Sequence, residues 1–264
     1  MTFHRLSLRL LPEERRQLIV ELIEQQGRAT VEELAERFEI SPVTIRTDLE
    51  VLARNAVIVR SHGGALPAPA HAVDTPLSIK ETRRHAQKRH IGLAAAKLVE
   101  DGETIILDSG STTMEIARAL RQRRWTELTV ITNGLHIALE LSAISAIRVV
   151  MLGGMLRPNS RSLVGPGAEQ MLAQLSADRL FLGVDGIDPK VGMTTPDPQE
   201  AALNALMIHI SREVVGVFGS NKFGLRSLSV IAPLSALNIA VTERTMDVEH
   251  VQAMLNCGVR VILA

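Results

Sequence analysis

Hydrophobic and polar positions in the first quarter of the chain follow the period of short amphipathic helices. Apolar residues recur on one face between Pro12 and Gln26, and Gly27 is placed to end this helix. The predicted apolar stripe of the helix consists of Leu18, Ile19, Leu22 and Ile23. A second helix is predicted after Thr30, because Glu33 lies at the spacing of a capping box.

A third predicted helix follows after a tight turn. Ser41 can cap it, and Pro42 fits its first turn because the N–H that proline lacks has no intrahelical partner there. Its buried stripe is formed by Ile45, Leu49 and Leu52. The other side presents short polar and basic groups, namely Thr44, Arg46 and Thr47. A helix-turn-helix reads the major groove with its second helix. Polar and basic groups near the start of that helix are typical of such a motif.

A β-branched run and a glycine turn over residues 57–64 predict a small hairpin. Three helices and a hairpin make this N-terminal domain, here called the head, a winged helix-turn-helix, with the hairpin as its wing. Arg60 and His62 fall on the wing. Residues 1–66 contain nine Arg against ten Asp and Glu, so the head is not basic as a whole. Its affinity for DNA phosphates then depends on where single arginines lie. These are Arg15, Arg16, Arg28, Arg46, Arg54 and Arg60.

The pattern changes after residue 66. Prolines cluster and the apolar period stops over residues 67–76, which predicts a semi-stiff linker. Short aliphatic runs then alternate with helical stretches such as 114–121 and 200–210, which predicts an α/β domain with a mainly parallel sheet. The runs are 104–108, 128–132, 147–152, 179–183, 213–218, 237–242 and 259–263. In such domains ligands bind at the carboxyl ends of the strands.

Polar residues and glycines gather at those ends. The first strand is followed by a segment that opens a helix and can direct N–H groups and hydroxyls at an anion. This segment is Asp108, Ser109, Gly110, Ser111, Thr112 and Thr113. It lacks the Gly-Lys-Ser/Thr of a P-loop, which argues against nucleotide hydrolysis. Ordinary helix capping by Ser109 and Ser111 is the alternative interpretation.

Later strand ends supply further candidates. Glycines there allow a close approach of the backbone, at Gly134, Gly153 and Gly154, with Asn133 beside the first of them. Lys222 offers a cation, and the carboxylates of Asp185 and Glu200 can bind hydroxyl or amino groups of a sugar. These charges can equally be solvated or paired with one another, so both interpretations stay open.

Two sets of motifs resemble a known family. Residues 41–52, Ser-Pro-Val-Thr-Ile-Arg-Thr-Asp-Leu-Glu-Val-Leu, and residues 60–65, Arg-Ser-His-Gly-Gly-Ala, are similar to the signature of DeoR-family bacterial transcriptional repressors. The second half resembles the effector domain of that family through 108–113, 132–134, 153–154, 185–186 and 222–223. Residues 163–167, 181–186 and 201–204 look most similar to its amino-sugar regulators, those of the N-acetylgalactosamine pathway.

The resemblance implies a winged helix-turn-helix followed by an α/β effector domain similar in fold to ribose-5-phosphate isomerase and glucosamine-6-phosphate deaminase. We expect a tail at 1–11, the DNA-binding domain at 12–66, a linker at 67–76 and an effector-binding and oligomerisation domain at 77–264. The expected function is a DNA-binding repressor of a sugar or amino-sugar operon, relieved by a phosphorylated sugar. A single head contacts few bases, so we expect a homo-oligomer, a dimer or higher, on double-stranded operator DNA.

The resemblance assigns roles to particular residues. The expected DNA-binding residues are Ser41, Thr44, Arg46, Thr47, Arg60 and His62. The expected effector-binding residues are Asp108, Ser109, Gly110, Ser111, Thr112, Thr113, Asn133, Gly134, Gly153, Gly154, Asp185, Glu200 and Lys222.

An enzyme is the rival hypothesis, either a sugar-phosphate isomerase or a deaminase. Residues 185–188, Asp-Gly-Ile-Asp, are similar to the isomerases' Asp-Gly-x-Asp. The glycine-rich segment with a lysine that follows in the isomerases is missing, and residues 197–200, Asp-Pro-Gln-Glu, stand in that region. Proton abstraction needs an acid, a base and a charge stabiliser together. We therefore expect effector binding without catalysis, no catalytic residues, no metal and no cofactor.

Composition adds three expectations. With 46% hydrophobic and 22% charged residues, no signal peptide and no apolar run of the roughly 20 residues that span a bilayer, the chain is expected in the cytoplasm, away from membranes. Cys257 is the single cysteine, which excludes an intramolecular disulfide, and we expect a packed thiol. The basic run from Lys80 to His90 is interpreted as a solvated helix surface in preference to a DNA contact.

Overall fold

The computed structural model describes residues 10–54, 57–67 and 74–264, and the chain divides into two compact units, Met1–Pro69 and Ala70–Ala264. The predicted tail lies outside the described residues except for Leu10 and Leu11. Residues 68–73 of the predicted linker also lie outside them.

The first unit contains the three predicted helices and the hairpin. Its elements are α1 (Pro12–Gln26), β1 (Ala29–Thr30), α2 (Val31–Phe38), α3 (Pro42–Arg54), β2 (Ile58–Ser61) and β3 (Gly64–Pro67). Their ends follow the local signals: Gly27 is left-handed at φ 74°, and Thr30 and Glu33 form the capping box. The strands form a sheet in the order β1-β3-β2, which confirms a winged helix-turn-helix.

The helices of this unit bury the expected apolar faces with one exception. Ile45, Leu49 and Leu52 of α3 are buried, as the sequence predicts. On α1 the expected stripe was wrong at Leu18, which is 39% exposed, whereas Val20 is buried.

A buried carboxylate joins α1 to α3. Asp48 is 1% exposed and accepts hydrogen bonds from Nε of Arg15 at 2.7 Å and from Nε of Arg16 at 2.9 Å. The two arginines that we had counted toward phosphate affinity are therefore engaged inside the head. A carboxylate removed from water in this way stabilises a fold only while its partners remain in place.

The second unit is an α/β domain around a parallel sheet of seven strands in the order β15-β14-β12-β9-β4-β5-β6. These strands are β4 (Thr104–Leu107), β5 (Leu128–Thr132), β6 (Ile147–Met151), β9 (Ala177–Leu182), β12 (Ser211–Val217), β14 (Ile239–Thr242) and β15 (Arg260–Leu263). Each corresponds to a predicted aliphatic run. Two small antiparallel sheets add β7 (Met155–Arg157) with β8 (Ser162–Val164), and β10 (Gly186–Asp188), β11 (Gly192–Thr195) and β13 (Ser229–Ala232).

Helices cover both faces of the large sheet. They are α4 (Leu77–Thr82), α5 (His85–Ala96), α6 (Ser111–Arg121), α7 (Leu135–Leu141), α8 (Pro166–Leu172), α9 (Pro198–His209) and α10 (Val248–Asn256). Alternate residues of β4 enter different cores: Ile105 and Leu107 belong to one buried cluster and Ile106 to the other. Burial on both faces explains why the strands read as continuous aliphatic runs.

The structure bears on the cysteine and on the expected absence of membrane spans. Cys257 is exposed, so the expected packed thiol was wrong. Within the described ranges, no helix is long and apolar enough to cross a bilayer.

Candidate functional site

The outer side of α3 carries the residues expected to read DNA. Ser41 Oγ accepts a hydrogen bond from the N–H of Thr44 at 3.1 Å, so Ser41 caps the helix as predicted. Arg46 and Thr47 are exposed, and the hydroxyl of Thr47 donates to the carbonyl of Val43 at 3.1 Å. The first turns of α3 thus present the guanidinium of Arg46, which has no partner among the described residues, between two threonines.

The wing lies against the same helix. Arg60 is exposed, and its Nη1 donates to the carbonyl oxygen of Arg46 at 3.2 Å. His62 is exposed in the turn of the hairpin, where Gly63 takes a φ of 76° that glycine adopts without strain. The structure therefore places Ser41, Thr44, Arg46 and Thr47 at the start of α3, with Arg60 of the wing bonded to that helix.

In the second unit the strand order reverses at β4. The strand β4 lies between β5, which follows it along the chain, and β9, which comes much later. Such a switch point leaves a crevice at the carboxyl ends of the strands, where α/β domains bind ligands. Asp108 is the first residue beyond β4, and Gly183 is the first beyond β9.

Asp108 organises the loop that enters α6. Its carboxylate accepts hydrogen bonds from the N–H of Gly110 at 2.9 Å, the N–H of Gly183 at 2.7 Å and the hydroxyl of Thr113 at 2.6 Å. Burial raises the pKa of Asp108 to about 6, although the three hydrogen bonds act to lower it. Asp108 and Thr113 therefore fix the loop.

No side chain among the described residues caps the start of α6. Gly110 occupies the N-cap position without a side-chain capping bond, so capping by Ser109 or Ser111 does not account for these serines. Ser109, Ser111 and Thr112 are buried at 4 to 8% exposure. The first N–H groups of a helix have no intrahelical acceptors, and they favour an anion at this position.

The loop after β5 lies beside this helix start. A Cβ on Gly134 would approach the Cα of Ser109 to 3.2 Å, so the absence of a side chain lets the two loops meet. Asn133 is 1% exposed, and its Oδ1 is buried with no partner among the described residues. Both ring nitrogens of His136 are also buried with no partner among the described residues. Burial and the charge of Arg161 lower the pKa of His136 to about 4. His136 was missed in the sequence, where it reads as a polar residue of an amphipathic helix.

The glycines after β6 approach a neighbouring strand. Gly153 and Gly154 are exposed, and a Cβ on Gly154 would meet the carbonyl oxygen of Val164 at 2.6 Å. Gly154 also takes a φ of 119°. Its close approach is to the neighbouring strand β8.

The predicted carboxylates are both paired. Asp185 lies 2.6 Å from Nζ of Lys80 and 3.5 Å from Nζ of Lys222. Burial opposes its ionisation, yet the two lysines outweigh burial and lower the pKa of Asp185. Glu200 lies 3.4 Å from Nη1 of Arg157. Of the two interpretations left open, ion pairing is the one that the structure contains.

Three cations of this cluster are not among the expected effector-binding residues. Arg157 contacts Asp74 at 2.6 Å and Asp197 at 3.1 Å in addition to Glu200. Lys80 and Lys88 belong to the basic run interpreted as solvated, and that interpretation was wrong for both, because both are partly buried. Burial and the neighbouring Lys222 lower the pKa of Lys88 to about 7.

Glu200 makes stability depend on pH. Burial and the charge of Asp185 raise its pKa from 4.5 to about 7, so the folded protein binds more protons than the unfolded chain between those values. The contribution of Glu200 to the free energy of unfolding therefore falls as pH rises from 4.5 to 7. We expect Glu200→Gln to match the parent at pH 4 and to be more stable by on the order of 2 kcal/mol at pH 8.

Urea unfolding at the two pH values measures this difference. Glu249→Gln is the matched control, because Glu249 is exposed on α10. An equal effect of Glu200→Gln at both pH values would contradict the assignment.

Comparison with known proteins identifies the chain. A family model described as the DeoR C terminal sensor domain matches residues 83–244. A second model, the DeoR-like helix-turn-helix domain, matches residues 15–68.

The chain belongs to the DeoR family.

Several curated relatives of this DeoR-family protein align over most of both chains. It is 36% identical to a putative aga operon transcriptional repressor of Escherichia coli O157:H7, over 95% of this chain and 93% of that protein. It is 35% identical to the regulator GlpR of Haloferax volcanii, over 96% and 98%. It is 31% identical to the glycerol-3-phosphate regulon repressor of Escherichia coli K12, over 89% and 92%.

These relatives are named as transcriptional regulators or repressors. Their names support the regulator hypothesis and give no support to the hypothesis of an isomerase or deaminase. This DeoR-family chain is a DNA-binding transcriptional regulator with a sensor domain for a small-molecule effector. Within the part of the chain that the structure describes, no group of His, Cys, Asp and Glu side chains is placed to hold a metal ion.

Solved structures resemble the DeoR-family chain only in part. Ribose 5-phosphate isomerase A of Methanocaldococcus jannaschii aligns with a TM-score of 0.39 and 18% identity over 53% of this chain and 54% of that one. The Pyrococcus horikoshii initiation factor eIF-2B aligns with a TM-score of 0.40 and 18% identity over 83% and 74%. We draw no functional conclusion from either.

Proposed function

We propose that this regulator represses a sugar or amino-sugar catabolic operon and is released from its operator by a phosphorylated sugar. The observation that carries the proposal is the site at the carboxyl ends of β4, β5, β9 and β12. There the uncapped N-terminus of α6 faces the same crevice as a cluster of partly buried lysines and carboxylates. Relatives named for the aga operon and the glycerol-3-phosphate regulon support the choice of effector class.

The chemistry of the crevice matches the two ends of a sugar phosphate. A phosphate dianion takes hydrogen bonds from the first N–H groups of α6 and from the hydroxyls of Ser109, Ser111 and Thr112. The unpartnered Oδ1 of Asn133 and the carboxylates of Asp185 and Glu200 accept from sugar hydroxyl or amino groups. Lys222 balances the charge of the carboxylates. Gly134 permits the approach of the loops, and Asp108, Gly110 and Thr113 hold the loop in shape.

The head reads the operator through α3. Thr44, Arg46 and Thr47 enter the major groove, where Arg46 donates to a guanine edge or a phosphate. Ser41 fixes the start of the helix, and Arg60 and His62 contact the backbone or the minor groove from the wing. Arg60 also positions Arg46 through its bond to the carbonyl oxygen of that residue.

Arg46→Ala tests this assignment. The variant is expected to lose about 1 to 3 kcal/mol of binding free energy on an operator selected from random duplexes, with relaxed preference at one base pair. Fluorescence anisotropy at fixed salt measures both quantities. Arg212→Ala is the control, since its side chain is 84% exposed in the sensor domain and its loss removes the same charge. Unchanged affinity and base preference in Arg46→Ala would remove Arg46 from the interface.

The regulator acts as a homo-oligomer, a dimer or higher. One head contacts few bases, and paired heads on two half-sites supply the affinity that an operator needs. Light scattering at micromolar concentration is expected to give at least twice the mass of one chain, 28.8 kDa. A stable monomer in complex with operator DNA would contradict this part of the proposal.

A further inference from the structure

The segment that follows the linker reaches into the effector site. The described chain resumes at Asp74, and residues 74–88, here called the entry segment, lead into α4 and α5. Asp74 contacts Arg157 of the site at 2.6 Å, and Lys80 contacts Asp185 at 2.6 Å. The part of the sensor domain that continues from the DNA-binding head is therefore bonded to groups that face the effector.

The pair of Lys80 and Asp185 is well shielded. The Lys80 side chain is 25% exposed and that of Asp185 is 17% exposed. Burial alone would lower the pKa of Lys80, but Asp185 and Glu200 raise it, so Lys80 is a cation held by this site. Asp185 is shared, because Lys222 lies at 3.5 Å and can compensate part of its charge when Lys80 leaves.

The backbone of the entry segment is held by further polar contacts. Nζ of Lys88 donates to the carbonyl oxygens of Lys80 and Arg83, which tie the end of α4 to α5. Arg84, between the two helices, binds both oxygens of Glu243 at 2.9 Å. Arg84 has a φ of 50°, a left-handed conformation that non-glycine residues adopt at a cost. The turn between α4 and α5 is thus strained, and it is held by the Arg84–Glu243 ion pair and by the hydrogen bonds of Lys88.

An anionic effector competes directly for these contacts. The sugar hydroxyls offer donors to Asp185, and the phosphate at the start of α6, a helix in contact with α4, offers an anion to Lys80. Each partner of the ion pair thus gains an alternative to the other. Conformational change follows only from a difference in affinity between two forms, and exchange of Lys80 from Asp185 to the ligand supplies such a difference.

We propose that the Lys80–Asp185 ion pair holds the protein in its operator-binding form, and that a phosphorylated sugar acts by drawing Lys80 away from Asp185 and displacing α4. The inference rests on the proposed function for its ligand. The role of the ion pair in operator binding is testable without any ligand.

Lys80→Met tests the ion pair in the full-length protein without effector. Lys80→Met is expected to bind the selected operator at least about 5-fold more weakly than the parent, the lower end of usual allosteric coupling. Lys97→Met is the matched control, because Lys97 is exposed at the end of α5. Equal operator affinity in the parent and in a folded Lys80→Met, judged by its thermal unfolding midpoint, would overturn the proposal.

A second experiment covers the case in which Lys80→Met does not fold. The native protein is acetylated sparsely with acetic anhydride, and the operator-bound and unbound fractions are separated. Acetylation at Lys80 is expected to be depleted from the bound fraction several-fold, whereas acetylation at Lys97 is expected to distribute equally. Equal distribution of acetylated Lys80 would also overturn the proposal.

Failure of the proposed function gives a different result. If N-acetylgalactosamine 6-phosphate, glycerol 3-phosphate and the other sugar phosphates all leave the parent on its operator, the choice of effector is wrong. Loss of operator binding in Lys80→Met would then still establish the ion pair as a control point.

Discussion

Asp48→Ala is expected to unfold the DNA-binding head under conditions in which the parent is stable. The variant removes the carboxylate that Arg15 and Arg16 both bind, at 2.7 and 2.9 Å. Arg15 then loses its ion pair, and Arg16 keeps only its pair with Glu13 at 2.8 Å. The side chains of these arginines are only 11% and 20% exposed, so water restores little of the lost interaction. Breaking a buried ion pair from one side costs about 3 to 5 kcal/mol, and a head of this size has little more to lose.

Denaturant unfolding followed by far-ultraviolet circular dichroism measures the effect. Two transitions are expected in the parent if the units unfold separately, and Asp48→Ala should shift only the one that belongs to the head. Glu50→Ala is the matched control, because Glu50 is an exposed carboxylate on the same helix. A loss below about 1 kcal/mol, the value of an exposed pair, would show that Asp48 is not the buried junction described here.

Thr112→Glu is expected to abolish the response to effector while operator binding remains. Thr112 is 8% exposed in the first turn of α6, where the proposed phosphate binds. A carboxylate there repels the phosphate and competes for the same N–H groups. Each charge-assisted hydrogen bond lost is worth about 1.5 to 3 kcal/mol, so the effector concentration needed for release should rise by about 100-fold or more.

Titration of the operator complex with a releasing sugar phosphate gives the measurement. Gln122→Glu is the control, since it adds the same charge at an exposed position beyond the far end of α6. Release of Thr112→Glu at the concentration that releases the parent would exclude the start of α6 as the phosphate site. Loss of operator binding in Thr112→Glu would instead give the loop a structural role.

Helix ends that depend only on neighbouring residues were predicted correctly from the sequence. The capping box of Thr30 and Glu33, the proline at the start of α3 and the glycine after α1 depend only on neighbours in the chain, and each is confirmed. The aliphatic strands were found for the same reason, because burial on both faces leaves a continuous run. Leu18 was misplaced because a wide apolar face of α1 offers more than one way to orient the helix.

Long-range pairs could not be predicted. Lys80 and Asp185 are 105 positions apart, and Asp48 is 33 positions from Arg15, so nothing in the local pattern connects them. Lys80 and Lys88 had the sequence context of a solvated surface, and only the fold places them beside Asp185 and Lys222. The residues of the candidate sites remain predictions, although the structure gathers most of them at the helix face and the crevice where the sequence had put them.

Release of the protein from its operator by a phosphorylated compound can be followed by fluorescence anisotropy. The purified protein is added to fluorescent DNA from upstream of its own gene, at fixed salt, and phosphorylated hexoses, pentoses, amino sugars and glycerol 3-phosphate are titrated in turn while anisotropy is recorded. The account predicts tight, sequence-specific binding that one phosphorylated compound reverses and its unphosphorylated form does not. Binding without sequence preference, or specific binding that no phosphorylated compound changes, would contradict it.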